Sequence, residues 1–167
     1  MREIQIEKLT LNIGAGRDQD KLEKGVKLIE YLTGMPPVKT KTGKRIPGWG
    51  LRPGLPIGCK LTIRDSNKKN DLIKRFIEAK DGSLKQSQFD ENGNISFGIH
   101  EYINIPGTKY NPEIGIMGFQ ISITLTKPGR RITRRKVMSK NLPQKQKVTK
   151  QEALEFMKKE FNVEIVD

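Results

Sequence analysis

The segment Lys39–Arg64, KTKTGKRIPGWGLRPGLPIGCKLTIR, constrains this chain more than any other. It holds seven Lys/Arg, no acid and the only Trp. Gly43, Gly48, Gly50, Gly54 and Gly58 are interspersed with Pro47, Pro53 and Pro56. That density excludes a helix and demands a shaped loop. The flanks, Val38–Thr42 and Ile57–Arg64, alternate apolar and polar residues, the pattern of half-buried strands. The segment predicts a basic loop held out on a two-stranded base and offered to a polyanion.

The charge distribution supports that partner. The 167 residues carry a net charge of +13. No acid lies between Glu30 and Asp65, where there are seven Lys/Arg, and none between Glu113 and Glu152, where there are ten. The rest of the chain is slightly acidic. Cations gathered into two blocks neutralise phosphates and release counterions, whereas charge serving solubility alone would be spread. Cys59 is the only cysteine, so no internal disulfide can form, and a reduced compartment is expected. Met1–Leu9 lacks the apolar core of a signal peptide, and no apolar run has the length of a membrane span. A soluble, intracellular protein is expected.

Along the chain, Glu3–Ile13 predicts a strand whose period-two pattern shifts near Glu7–Lys8, as a bulge would shift it. Asp20–Leu32 predicts an amphipathic helix capped by Asp18 or Asp20 and ended by Thr33-Gly34. Asn67–Lys80 predicts a second helix, with Ser66 or Asn67 as cap. Asp81–Asn94 is expected to be polar loop, Ile95–Ile99 a short strand, and Tyr102–Ile105 a short helix or extended piece. Phe119–Thr126, FQISITLT, alternates strictly and predicts the clearest strand. Lys127–Lys150 is expected to be an extended basic arm. Thr149-x-x-Glu152 is a capping-box pattern before a last helix to about Phe161, and Val163–Val166 is an edge strand or a tail. Strands and helices do not interleave regularly. The expected fold is therefore α+β, a mostly antiparallel sheet with helices packed on one face, a long basic loop, and a C-terminal basic arm plus helix. Two units are expected, an α+β domain over 1–126 and the arm and helix over 127–167 packing on it.

Catalytic and cofactor motifs fail on inspection. Gly14-Ala15-Gly16 lacks the third dinucleotide-site glycine, since that position is Gln19, and the acid expected further on is missing. A turn there could present backbone N–H groups to a phosphate, or be a plain strand-to-helix turn. Gly43-Lys44-Arg45 lacks the first glycine of a phosphate loop, because Val38 stands there, and no Ser/Thr follows Lys44. His100 is the only histidine, which leaves no His-based metal cluster or triad with a second histidine. Cys59 suits a small buried hydrophobe better than a nucleophile. No enzyme, cofactor, metal, membrane or small-molecule substrate is expected. The rival readings are a phosphate-handling enzyme using the Gly14–Gly16 turn and a free nucleic-acid chaperone.

Binding remains. Thr40, Thr42, Lys60, Thr62 and Arg64 occupy alternate positions of two neighbouring strands. On one sheet face they would place hydroxyls and cations about 7 Å apart along each strand, fit for ribose and phosphate oxygens in a shallow RNA minor groove. Trp49 could stack on a base or anchor its loop inward. Arg130, Arg131, Arg134, Arg135 and Lys136 suit a phosphate-binding extension that orders on its partner.

The runs LNIGAG, LTGMPPVKTK, IPGWGLRPGLPIGCKLTIR, FDENGNISFGIHEYINIPG and IMGFQISITLTKPGRR, in this order, resemble the universal "L five" family of large-subunit ribosomal proteins that bind 5S rRNA. The similarity spans about Arg2 to Thr126, and the arm and last helix resemble the archaeal version. The resemblance implies a non-enzymatic role in the central protuberance of the large subunit, in the cytoplasm, joining 5S rRNA to the large-subunit rRNA. It implies that Asn12, Thr62 and Arg64 read 5S rRNA, with Gly14, Gly16, Thr40, Lys41 and Lys60 beside them. Met35 departs from the bacterial pattern, which has Gln there, so an amide contact is lost. The loop Lys44–Pro56, with Lys44, Arg45, Trp49, Arg52, Pro53 and Gly54, corresponds to the part that faces P-site tRNA. A surface within Gly93–Pro112 corresponds to an intersubunit bridge with a small-subunit protein.

Overall fold

The computed structural model describes residues 3–166. The chain forms β1 (Gln5–Gly14), α1 (Gln19–Thr33), β2 (Val38–Lys41), β3 (Pro56–Ile63), α2 (Ser66–Glu78), β4 (Ser83–Lys85), β5 (Asn94–Ile99), β6 (Phe119–Thr126), α3 (Arg131–Arg134), α4 (Lys150–Phe161) and β7 (Glu164–Val166). Five strands make one sheet in the order β2-β3-β1-β6-β5, and every neighbouring pair is antiparallel. The expected α+β class holds. β1 is central, with its pairing shifted between Ile6 and Lys8 where the sequence period slips.

Alternation sorts the strands into two faces. Leu9, Leu11, Ile13, Cys59, Ile63, Phe119, Ile121, Ile123, Leu125, Ile95, Phe97 and Ile99 are buried and form the core face. Two helices close on it. α1 brings Leu22, Leu28 and Ile29, and comes nearest at Gly25, where a Cβ would stand 3.1 Å from Ile13 Cγ2 and 3.3 Å from Cys59 Sγ. α2 brings Ile73 and Phe76, whose ring meets Phe119 edge-on at 5.5 Å. α4 adds Ala153 and Met157.

Local chemistry sets the helix ends. Asp18 accepts from the Lys21 N–H, and Gly34 ends α1 in the left-handed region at φ 68°. α2 is capped by Asp65, which accepts from the Asn67 N–H. This corrects the expectation of Ser66 or Asn67: a carboxylate accepts the orphan N–H more strongly than a hydroxyl or amide does. α4 carries the expected capping box of Thr149 and Glu152. The segment expected to be plain loop after α2 contains β4, which pairs in parallel with β7, joining Leu84 to Ile165. Three residues are too few to show periodicity, so only the distant partner reveals the strand.

The arm is not extended throughout: it carries the short helix α3, and its two ends are held by hydrogen bonds. Lys127 is buried and donates to both Glu152 oxygens at 2.7 Å and to the Lys147 carbonyl at 3.1 Å. Gln146 donates to the Pro128 carbonyl at 2.7 Å. Both roots of the arm are thus tied together. The Lys127 ammonium and the Thr149 N–H hold the Glu152 carboxyl below its ordinary value. A depressed folded pKa gives stability that is full above the ordinary carboxylate value and lost as pH falls through the depressed one. Glu152→Gln keeps a capping acceptor but removes the charge opposite buried Lys127. It should cost about 1–2 kcal/mol near neutral pH, below the 3–5 typical of a fully buried pair because Glu152 is partly exposed. Urea titrations of both proteins should show the gap shrinking as pH drops into the acid range.

Candidate nucleic-acid interface

The other face of the sheet is open and polar. One row across the strands is Thr62–Thr10–Ser122–Ser96, and the next is Val38–Lys60–Asn12–Gln120–Gly98. Flanking rows hold Thr40 against Gly58 and Gly14, and Lys8 against Thr124 and Asn94. None of these paired residues is acidic. Asn12 donates to Gln120 at 3.2 Å, and the Ser96 and Ser122 hydroxyls lie 3.1 Å apart. At about 4.8 Å per strand the face is about 20 Å wide. Its exposed cations, Lys60 and Arg64, lie at the β3 side, while Lys8 on β1 is half-buried. A neutral hydroxyl and amide field with cations along one side suits a ribose-phosphate surface read by shape.

The structure therefore brings Asn12, Thr40, Lys60 and Thr62 onto one face, with Arg64 at the end of β3. Lys41 alternates to the other side of edge strand β2 from Thr40, as does Lys39, which pairs with Cys59. Sequence reasoning missed Thr10, Ser96, Gln120, Ser122 and Thr124. The signal was present in the even positions of FQISITLT, but only the β1–β6 register shows that they adjoin Asn12.

The Gly14–Gly16 turn is of the plain kind. The Ala15 and Gly16 N–H groups both donate to the Ile57 carbonyl, at 2.9 and 3.0 Å. They tie the turn to β3 instead of facing outward, and Gly16 takes the left-handed conformation at φ 63°. Burial pushes the Cys59 thiol up to about 11, against a smaller opposing pull from Lys39, so it is protonated at neutral pH and no nucleophile. No group of three or more metal-ligating side chains occurs among the described residues. None of their helices is long and apolar enough to cross a membrane.

The loop between β2 and β3 is a structured finger. Ile46 and Leu51 bridge across it, a short 3-10 turn spans Pro47–Trp49, and Leu51 is buried. Thr42 joins the base through its hydroxyl to the Arg52 carbonyl, and its N–H to the Leu55 carbonyl. Lys44, Arg45, Arg52, Pro53 and Gly54 are exposed. Trp49 is 70% exposed, so of its two readings the inward anchor is not the one adopted.

The arm sorts its arginines by the helical period. Residues four apart share a face of a turn. Arg130 and Arg134 both pair with the Glu7 carboxylate, Arg130 at 2.6 Å. Arg131 and Lys136 are exposed, and Arg135 is exposed while donating to the Met138 carbonyl at 2.8 Å.

Residues 1–52 match the family described as ribosomal protein L5, and residues 56–156 match the family model for the C-terminus of the same ribosomal protein. The chain is 46% identical over its whole length to the large ribosomal subunit protein uL5 of Sulfolobus acidocaldarius, covering 93% of that protein. It is 47% identical to the protein of the same name from Methanosphaera stadtmanae, across 96% of this chain and 95% of the relative. For the Nanoarchaeum equitans protein the identity is 42%, across 99% and 98%. Two family matches that together span nearly the whole chain, and full-length relatives at this identity, show that the chain belongs to the ribosomal protein L5 family, in its archaeal form.

Proposed function

We propose that this chain binds 5S rRNA with the open face of its sheet and helps attach it to the large-subunit rRNA in the central protuberance. Its role is structural, in the large subunit of the cytoplasmic ribosome, and not enzymatic, in keeping with its family. The observation that carries the RNA reading is the polar face spanning all five strands, none of whose paired residues is acidic, with Lys60 and Arg64 along one side. Asn12, Thr40, Lys60, Thr62 and Arg64 make the primary 5S rRNA contacts, with Gly14, Gly16 and Lys41 at the margin. The finger carrying Lys44, Arg45, Trp49, Arg52, Pro53 and Gly54 reaches P-site tRNA. The arm adds phosphate contacts to rRNA, and a surface within 93–112 meets a small-subunit protein in an intersubunit bridge. The test is to identify the RNA crosslinked to the open face in assembled large subunits. 5S rRNA is the expected answer, and a different RNA in its place refutes the assignment.

A further inference from the structure

We propose that Glu7 is a positioning residue for RNA binding: the bulge in β1 turns its carboxylate towards the arm, where it holds Arg130 and Arg134 and so presents Arg131, Arg135 and Lys136 to phosphate. This rests on the reading of the arm as an rRNA contact. The pairing of β1 with β6 skips one residue between Ile6 and Lys8, and Glu7 is that residue. A bulge re-aims a side chain that regular alternation would place elsewhere. The Ile6 carbonyl at the same step accepts the ammonium of buried Lys69, which fixes the bulge against α2.

Glu7 is only 10% exposed and pairs with two guanidinium groups one helical turn apart. An acid engaged by two arginines of a phosphate-binding arm invites the opposite reading, that it competes with RNA. The geometry argues for orientation. Arg131 and Arg135 are themselves four residues apart and lie on the neighbouring side of the same turn, so fixing one pair aims the other. The tied roots of the arm, through Lys127–Glu152 and Gln146–Pro128, leave this turn as the element that Glu7 fixes. An arm ordered before contact loses less freedom on binding.

The two readings of Glu7 predict opposite signs. Glu7→Gln raises the net charge of a basic protein, so long-range electrostatics alone would tighten RNA binding. Positioning predicts a loss of roughly tenfold in affinity for large-subunit rRNA with 5S rRNA bound. It also predicts a log K against log salt slope shallower by about one to two contacts. In the free full-length chain, thermolysin cleavage at exposed Val137–Met138 should accelerate, while cleavage of the sheet does not. Arg130→Gln with Arg134→Gln breaks the clamp from the other side without touching β1, and should give a similar loss to which Glu7→Gln adds nothing further. Should Glu7→Gln fail to fold, this second variant decides the matter when set against Lys140→Gln with Lys145→Gln, which removes the same charge from exposed arm positions outside the clamp: a clearly larger loss in the clamp variant supports positioning, and equal losses overturn it. Unchanged or tighter binding in the clamp variants, with a loss in the Arg131→Gln, Arg135→Gln, Lys136→Gln triple variant, overturns the positioning role alone. Unchanged affinity in the triple variant overturns the arm's contact with RNA, and the positioning role with it.

Discussion

Lys60→Glu combined with Arg64→Glu should lower affinity for 5S rRNA on the order of a hundred- to a thousand-fold at physiological salt. Each cation is exposed beside the hydroxyl field of the open face, and a charge-assisted hydrogen bond is worth roughly 1.5–3 kcal/mol. Removing two such contacts also takes about two units from the slope of log K against log salt. Folding should be nearly untouched, within about 0.5 kcal/mol, because neither side chain is buried. The matched control is Lys68→Glu with Lys74→Glu on the exposed side of α2, which makes the same charge change on the helical side of the protein. That pair should cost less than about tenfold, through long-range potential alone. Equal losses from the two pairs, read by filter binding across a salt series, would mean that RNA responds to net charge and not to the open face.

Gly58→Val should damage the fold severely. Gly58 lies opposite Gly14 on the central strand and is buried. A Cβ there would stand 2.6 Å from the Ile13 carbonyl oxygen and 3.1 Å from the Thr40 hydroxyl. The carbonyl belongs to the middle strand of the sheet and cannot give way without parting β1 from β3. The expected cost is about 3 kcal/mol, the scale of overpacking against backbone. For a domain of this size that is roughly 6–12 °C in Tm. Because β3 also carries Lys60 and Thr62, RNA affinity should fall with it. Gly14→Ala is the control: nothing lies within 4 Å of its Cβ and its φ is ordinary, so calorimetry should find a change within about 0.5 kcal/mol. Equal destabilisation of the two variants would contradict the close approach at Gly58.

Legibility in the sequence follows how local each determinant is. α1, β6 and α4 are legible because period and caps lie within one short stretch of chain: Asp18 and Gly34 bracket one helix, and Thr149 with Glu152 opens another. The bulge at Glu7 is legible as a slip of phase, although its use is not, since its partners lie 123 and 127 residues further on. β4 is not legible, because three residues show no period and their partner β7 is at the far end of the chain. The site divides the same way. Lys60, Thr62 and Arg64 announce a face through alternation within one strand, whereas Gln120 and Ser122 join that face only through the β1–β6 register. The arm's charge is evident at once, but the pairing of Arg130 and Arg134 inward depends on an acid that local pattern cannot connect to them.

The claim that the open sheet face is the 5S rRNA surface is tested most directly by crosslinking from chosen positions in assembled large subunits. A photoreactive side chain is placed singly at Thr62 or Gln120 on the open face, and at Glu23 or Glu30 on the exposed side of α1. Crosslinks to 5S rRNA from Thr62 and Gln120, with none from Glu23 and Glu30, are the predicted result. Crosslinks to 5S rRNA from α1, with the open face silent or joined to another molecule, would contradict it.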